Sequence, residues 1–363
     1  MTDYLFLSFT VSLIINFIVV ILFKRTHIGA DETDSGPQKF HKKLTPRIGG
    51  LGVFLGFLTS VLLLRHIIKN DLIIYLAVAS LPAFLAGFTE DITRKVNAMV
   101  RLLATMLSAL IVIYVLGVYV NRVDLPFIDA VFQIKVFAYI FTIIAISGVA
   151  NSFNIIDGYN GLVAVVSIII LIGLAYVAFK VHDTVVLYAA MGLIGATAGF
   201  FIWNYPYGLI FLGDGGAYFI GFIAAELCVM LIYRHPQVSA WFGLLLFIYP
   251  VFETLFSMYR RIIVVKSNPT MPDAFHLHML IFKRVVPVVF NIDTKTNIIY
   301  RNSATSPFLW LLTTISFIPA ILFWNNTTLL MISTFVMVVI YIAIYRSIVH
   351  YKIDRWLRIF MWK

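Results

Sequence analysis

The stretch FLGDGG, residues 211–216, introduces an apolar run that continues to residue 233. About 20 apolar residues are enough to cross the hydrocarbon core of a bilayer as a helix. Glycines let the backbone approach a ligand closely, and the start of a helix favours anions through its free N–H groups and its dipole. The stretch therefore predicts a spanning helix that begins with a ligand-binding Asp214. The plainer alternative is an N-capping aspartate among flexible glycines.

Apolar runs of similar length recur along the whole chain. Of its 363 residues, 61% are hydrophobic and 12% are charged, whereas a soluble domain carries about 25% charged residues. The eleven predicted spans cover residues 4–23, 48–65, 71–89, 98–120, 131–153, 161–180, 184–203, 208–233, 240–259, 306–325 and 328–350. We therefore predict an all-α polytopic integral membrane protein with about 10–11 transmembrane helices, forming one domain over residues 1–363.

Positive charge is distributed unevenly between the two predicted sides of the membrane. With the amino terminus outside, the outer segments contain only six of the 27 lysines and arginines, namely Arg65, Lys69, Arg122, Lys135, Lys180 and Arg234. Cytoplasmic loops are enriched in these residues, so the opposite side is predicted to face the cytoplasm. The net charge of +10 then reflects membrane topology, and no nucleic-acid partner is expected.

Four polar clusters fall on this inner side. They are Glu90-Asp91, residues 151–158, residues 211–216 and His276-Leu277-His278. Acidic, amide and imidazole groups are costly near hydrocarbon, so each cluster is a functional hypothesis. Their convergence predicts an enzyme that works at the membrane face on a phosphate compound.

Carboxylates and amides dominate two of the clusters. Glu90 and Asp91 could bind a divalent cation or supply a base, or they could form a solvated helix end. Asn151, Asn154 and Asp157 are spaced three apart, which places them near one helix face. The amides could bind a sugar or phosphate and the carboxylate could bind Mg²⁺. The alternative for this cluster is turn chemistry at a helix end.

The remaining candidates are basic residues and histidines in the two long inner loops. His276 and His278 could ligate a metal, contact phosphate or transfer protons, or they could be solvated loop residues. Lys42 and Lys43 could form a phosphate-binding edge or a positive membrane anchor.

Two glutamates, Glu226 and Glu253, lie within predicted spans. Both are interpreted as buried, hydrogen-bonded structural groups, with Glu253 nearer the inner side.

Taken in order, these motifs resemble the polyprenyl-phosphate N-acetylhexosamine-1-phosphate transferases of glycosyltransferase family 4, which include the phospho-N-acetylmuramoyl-pentapeptide translocases. The resemblance covers roughly residues 40–285 and includes Thr-Pro-Arg-Ile-Gly-Gly at 45–50. It implies transfer of a sugar-1-phosphate from a UDP-sugar to undecaprenyl phosphate, with release of UMP. It also implies a requirement for Mg²⁺, for which Mn²⁺ could substitute, and an active site on the cytoplasmic face of the bacterial inner membrane. We consider a homodimer as the assembly.

The resemblance also implies roles for individual residues. The implied catalytic residues are Glu90, Asp91 as candidate base, Asp157, His276 and His278. The implied metal ligands are Asp157 and Asp214. The implied substrate-binding residues are Lys42, Lys43, Arg94, Asn151, Asn154 and Phe211, of which Phe211 resembles the family's uracil-stacking aromatic.

The sequence departs from the family pattern at three positions. Glu90 replaces a first aspartate, Asn160 replaces a second aspartate, so that a base there is not expected, and Met279 follows His-Leu-His where a triple histidine is typical of the muramoyl-pentapeptide enzymes. The last departure favours an N-acetylhexosamine donor for O-antigen, capsule, enterobacterial-type antigen or teichoic acid. The alternatives are a muramoyl-pentapeptide donor, a transporter of anionic solutes and a non-catalytic lipid-binding relative.

Overall fold

The computed structural model describes residues 2–26, 44–68, 71–266, 275–291 and 298–350 as helices joined by turns and short connections. The first eight helices are α1 (Thr2–Thr26), α2 (Gly50–Ile68), α3 (Leu72–Ala79), α4 (Leu81–Thr93), α5 (Ala98–Leu116), α6 (Pro126–Phe132), α7 (Lys135–Ile156) and α8 (Leu162–Lys180). The next eight are α9 (Thr184–Asn204), α10 (Gly213–Arg234), α11 (Ala240–Leu246), α12 (Ile248–Tyr259), α13 (Leu277–Leu280), α14 (Val286–Val289), α15 (Ile298–Leu322) and α16 (Thr327–Val349). Two π-helical turns occupy Arg260–Val265 and Ile281–Val285.

The prediction of a polytopic all-α membrane protein is confirmed. Within the described ranges, nine helical stretches are long and apolar enough to cross a membrane, and a bent pair raises the number to ten. The segment Gly50–His66 is a further, shorter apolar helix. The chain therefore carries spans along most of its length, as the recurring apolar runs predict.

Helix α10 is the central helix of the bundle. In its most apolar window 94% of residues are buried, and it packs against α2, α4, α7 and α8. A Cβ atom added at Gly216 would lie 2.7 Å from Gly50 Cα of α2, and one at Gly221 would lie 2.8 Å from Ala150 Cα of α7. The prediction that the glycines at the start of this helix let a ligand approach the backbone is wrong for Gly216, because its close neighbour is the backbone of α2.

Two predicted spans differ from the structure in detail. The span predicted at 71–89 consists of α3 and α4, which are separated at Ser80, and Pro82 lies at the start of α4. Helix α4 then continues to Thr93, so Glu90 and Asp91 lie inside its last turns and do not follow the span. The span predicted at 240–259 bends by 74° between α11 and α12. Pro250 lacks the N–H that would continue the helical hydrogen bonding across this bend.

The predicted inner loop 260–305 is also more ordered than the sequence indicates. Residues 277–289 are helical, and α15 begins at Ile298, eight residues before the predicted span. The histidine segment, which we define as residues 275–291, contacts α15 and α16. It is therefore part of the helical bundle.

We predict that Gly87→Ala destabilises the fold through the contact between α4 and α10. The added Cβ would lie 2.5 Å from Gly215 N and 2.6 Å from Asp214 C, which are backbone atoms that cannot rotate away. Such overpacking costs about 1–3 kcal/mol. The matched control is Gly148→Ala in α7, where nothing lies within 4 Å of the added atom. Thermal unfolding in detergent should show a lower midpoint for the first variant only, and equal midpoints would contradict this packing.

Candidate active site

A cavity of about 350 Å³ lies where α4 and α7 end and α10 begins. It is lined by Arg47, Glu90, Arg101, Asn154, Ile155, Asp157, Gly158, Tyr159, Asp214, His276, His278 and Met279. All four polar clusters of the sequence contribute to this lining. The prediction that they converge is therefore confirmed.

Asp91 fixes the first turn of α10 from the neighbouring helix α4. Its Oδ1 accepts the Asp214 N–H at 2.8 Å, and its Oδ2 accepts the Gly215 N–H at 2.9 Å. The first N–H groups of a helix have no partner within the helix, and here a distant carboxylate satisfies two of them. Asp91 is 1% exposed and does not line the cavity. The geometry thus gives Asp91 a structural function, and its role as base stays a prediction.

Asp214 points from this fixed turn into a cluster of positive charge. Its Oδ1 accepts hydrogen bonds from Arg47 and from Asn154 Nδ2, each at 2.9 Å. Its Oδ2 forms an ion pair with Arg101. Buried charges require such pairing, so the two arginines and the carboxylate hold one another in the cavity wall.

Asp157 is the residue that ends α7. Its side chain contributes to the cavity lining. Burial raises the pKa of Asp157 to about 7, and the Arg47 guanidinium opposes that shift. A carboxyl group of this kind exchanges its proton near neutral pH, and a cation placed beside it would favour the ionised form.

Glu90 lines the same cavity from the last turns of α4. Its Oε2 accepts the Val96 N–H at 2.7 Å, which ties the chain after α4 back to the helix.

The two histidines are buried at the start of α13. His276 is 8% exposed and His278 is 1% exposed, so the alternative of solvated loop histidines is wrong. Their rings stack at 5.1 Å, and the His278 ring meets the Tyr159 ring edge-on at 5.5 Å. His276 Nδ1 lies 3.0 Å from Glu253 Oε1. The interpretation of Glu253 as a buried, hydrogen-bonded group is confirmed. For Glu226 it is wrong in one respect, because that side chain is buried but its carboxylate oxygens have no hydrogen-bond partner among the described residues.

Several candidates lie outside the cavity lining. Asn151 Oδ1 accepts a hydrogen bond from the Tyr218 hydroxyl at 2.9 Å, and the Tyr218 ring lies 6.0 Å from the Arg101 guanidinium carbon. Arg94 ends α4 in the left-handed conformation. Phe211 pairs its backbone with Pro46 and Gly49. Their substrate contacts remain predictions, and Lys42 and Lys43 lie outside the described residues.

Asn160 has a structural setting that suits the expected absence of a base there. It is 1% exposed, its N–H donates to Asn302 Oδ1 at 2.8 Å, and its Nδ2 donates to the Pro206 carbonyl at 2.9 Å. These bonds connect the turn after α7 to α15 and to the chain before α10.

Sequence reasoning missed Arg47, Arg101 and Tyr159 as cavity residues. Arg47 lies in the quoted motif at 45–50, but both arginines were counted only as positive charges of the inner side. The distribution of charge along the sequence indicates which side of the membrane a loop faces. It does not indicate which arginine pairs with which carboxylate.

These features define a polytopic membrane protein with a charged cavity at one end of its helices. Comparison with known proteins gives the family. Residues 73–232 match the model of "Glycosyl transferase family 4". The chain is 30% identical over 274 residues, 75% of either chain, to the "Probable undecaprenyl-phosphate N-acetylglucosaminyl 1-phosphate transferase" of Bacillus subtilis. The chain belongs to glycosyl transferase family 4.

Two further relatives carry different names. The "Undecaprenyl-phosphate alpha-N-acetylglucosaminyl 1-phosphate transferase" of Thermotoga maritima is 26% identical over 281 residues, which cover 76% of this chain and 80% of the relative. The "Phospho-N-acetylmuramoyl-pentapeptide-transferase" of Clostridium beijerinckii is 27% identical over 241 residues, which cover 62% and 73% of the two chains. The family thus includes proteins named for either donor.

We predict that Asp91→Asn and Asp157→Asn differ in stability. An amide at position 91 has only one accepting oxygen for the two N–H groups of α10, so Asp91→Asn should lower the free energy of unfolding by about 1–3 kcal/mol. Asp157 lines the cavity and does not accept these N–H groups, so Asp157→Asn should unfold close to the wild-type temperature. Thermal unfolding of the two purified variants tests this, and a fully stable Asp91→Asn protein would contradict the structural function of Asp91.

Proposed function

We propose that this protein transfers an N-acetylhexosamine-1-phosphate from a UDP-linked donor to undecaprenyl phosphate and releases UMP. The reaction would initiate a cell-surface polysaccharide on the cytoplasmic face of a bacterial inner membrane. One observation carries the proposal, namely a cavity in which Arg47 and Arg101 face the carboxylates of Asp157 and Asp214. Such a site offers cations for phosphate oxygens and carboxylates for a metal.

In the proposed reaction, an oxygen of the lipid phosphate attacks the β-phosphorus of the UDP-sugar. A new P–O bond forms there, the bond from that phosphorus to the bridging oxygen breaks, and UMP leaves with the bond's electrons. A phosphate monoester has its second pKa at about 6, so the attacking oxygen is largely ionised at neutral pH. A strong base is then unnecessary, which agrees with the position of Asp91 outside the cavity lining.

The arginines would stabilise the charge that moves during this transfer. Guanidinium groups bind phosphate oxygens with two parallel hydrogen bonds, and prearranged cations stabilise a developing negative charge without reorganisation. In the structure Arg47 and Arg101 are already positioned by Asp214. We therefore assign them to the diphosphate of the donor.

The residues present also fit Mg²⁺. Among the described residues, no three His, Cys, Asp or Glu side chains form a ready metal site. Mg²⁺ commonly uses only one or two protein carboxylates together with phosphate oxygens and water. Asp157 and Asp214 both line the cavity and would hold the ion, which would neutralise the diphosphate and make UMP a better leaving group.

The rival functions differ in where the polar groups should lie. A transporter would place them near the middle of the membrane, often at broken helices. Here Glu90, Asp157 and Asp214 all belong to helix ends, which supports chemistry at a membrane face.

The proposal predicts UMP release from UDP-N-acetylhexosamines by the purified protein with undecaprenyl phosphate and Mg²⁺. Lipid products measured by mass over a panel of UDP-sugars, including UDP-N-acetylmuramoyl-pentapeptide, identify the donor. Asp214→Asn should lower turnover by more than about tenfold, or about 1.4 kcal/mol, because one oxygen that pairs with arginine and metal is lost. Preference for the pentapeptide donor would overturn the hexosamine assignment, and absence of UMP release would overturn the enzymatic one.

The pKa of Asp157 predicts how the requirement for Mg²⁺ changes with pH. A carboxyl group must lose its proton to bind a metal, and burial raises the pKa of Asp157 to about 7. Protons therefore compete with the metal below about pH 7 and cease to compete above it. The Mg²⁺ concentration for half-maximal activity should rise about fivefold from pH 7 to pH 6 and change little from pH 8 to pH 9. Equal values at pH 6 and pH 8 would contradict Asp157 as a ligand.

A further inference from the structure

A buried glutamate of α12 connects α16 to a histidine that lines the cavity. Glu253 of α12 is 1% exposed. Its Oε1 accepts the Leu277 N–H at 2.8 Å and lies 3.0 Å from His276 Nδ1. Its Oε2 accepts the Tyr341 hydroxyl of α16 at 2.8 Å. The family match ends at residue 232, so this arrangement lies beyond the part of the chain that the family model describes.

The hydrogen-bond pattern determines the orientation of the His276 ring. Glu253 Oε1 already accepts a backbone N–H, and a carboxylate only accepts hydrogen bonds. The nitrogen that faces it must therefore donate, which places a proton on His276 Nδ1. His276 also lines the cavity, and Nε2 is the other nitrogen of its ring.

Tyr341 holds the glutamate in turn. It is 3% exposed, and its ring packs edge-on against Phe252 at 5.0 Å and against Phe256 at 5.6 Å, both on α12. Packed aromatic rings have few alternative rotamers, so the hydroxyl is presented to Glu253 in a fixed position. Helix α16 thereby joins α12 to the start of α13.

Other contacts of α16 keep the histidine segment in place. The Tyr345 hydroxyl donates to the Phe275 carbonyl at 3.1 Å, beside His276. Arg284 Nη1 donates to the Ile348 and Val349 carbonyls at the end of α16, at 3.0 and 2.8 Å. The segment is thus attached to α16 on both sides of the histidines.

We infer that Glu253 and Tyr341 are positioning residues that hold the His276 imidazole by Nδ1 and present its Nε2 to the phosphates of the bound donor. The inference rests on the proposed function, because it assigns His276 a partner in that reaction. A carboxylate that holds a histidine by Nδ1 fixes the tautomer and the ring orientation, which is the arrangement of a catalytic triad. In this protein the carboxylate of Glu253 in turn accepts a hydrogen bond from Tyr341 of α16.

The test is a double-mutant cycle on UMP release. Glu253→Gln should lower kcat/KM for the donor by about 10- to 100-fold, at most the lower end of the roughly 10²- to 10⁴-fold that a positioned proton-transfer group itself supplies. Because Glu253 acts through His276, the same substitution should cost less than about twofold in a His276→Ala background. Tyr341→Phe, which removes only the hydroxyl, should produce a smaller loss that also disappears in that background. Equal losses in both backgrounds would overturn the inference in favour of a merely structural role.

Matched controls separate positioning from a general effect of changing buried polar groups. Glu226→Gln alters a glutamate of α10 that is fully buried and whose two carboxylate oxygens have no hydrogen-bond partner among the described residues. Tyr249→Phe removes a buried hydroxyl that likewise has no partner there, from a tyrosine that lines the same small cavity as Tyr341. Both control variants should retain wild-type kcat/KM, and a loss in either that equals its test variant would overturn the inference.

A second measurement detects the tautomer directly and does not depend on turnover. Nitrogen NMR of histidine-labelled protein, with the His276 signals assigned by their absence in His276→Ala, should show a protonated Nδ1 in the wild type and a changed pattern in Glu253→Gln. An identical His276 pattern in both proteins would overturn the inference. Wild-type protein that releases no UMP would instead remove the proposed function, and the NMR result would then stand alone.

Discussion

Asp91 reaches from α4 to accept the N–H groups of Asp214 and Gly215 at the start of α10, and the geometry of the cavity depends on this contact. It satisfies two helix N–H groups that would otherwise be buried without partners. It requires α4 and α10 to approach at backbone distance, which Gly87 permits. The same contact fixes the turn that carries Asp214, so the position of this carboxylate is a consequence of helix packing.

Two arginines pair with Asp214 at that turn, and other polar groups surround them. Arg47 comes from the chain before α2 and Arg101 from the first turn of α5, and both pair with Asp214. Asp157 and the histidine segment complete the cavity from α7 and from the connection between α12 and α15. Glu90, Asp157 and Asp214 lie at helix ends, where an ionic group costs less than in the middle of a spanning helix. A charged cavity can therefore form at one end of the helical bundle.

The sequence predicts the spans and the convergence of the four clusters, because apolar length and polar motifs are local features. Asp157, Asp214 and Asn154 were identified in this way. The sequence does not predict the contacts that hold these side chains, since Arg47 and Asp214 are 167 residues apart. An arginine beside a span looks the same in the sequence whether it anchors the helix at the membrane surface or pairs with a carboxylate. The sequence also does not predict the burial of His276 and His278, because their contacts with Glu253 and Tyr159 join segments that are distant along the chain. Local sequence patterns predict the helices, whereas contacts between distant segments determine which side chains meet.

If this cavity receives the diphosphate of a UDP-sugar, a structure of the protein with UDP-N-acetylglucosamine and Mg²⁺ will show the nucleotide there. Without lipid phosphate the donor cannot react, so it should remain visible by cryo-electron microscopy. We expect the diphosphate between Asp157 and Asp214, with Arg47 and Arg101 in contact with phosphate oxygens and His276 still bound to Glu253. A nucleotide bound away from this cavity, with Asp214 still paired to both arginines, would contradict it.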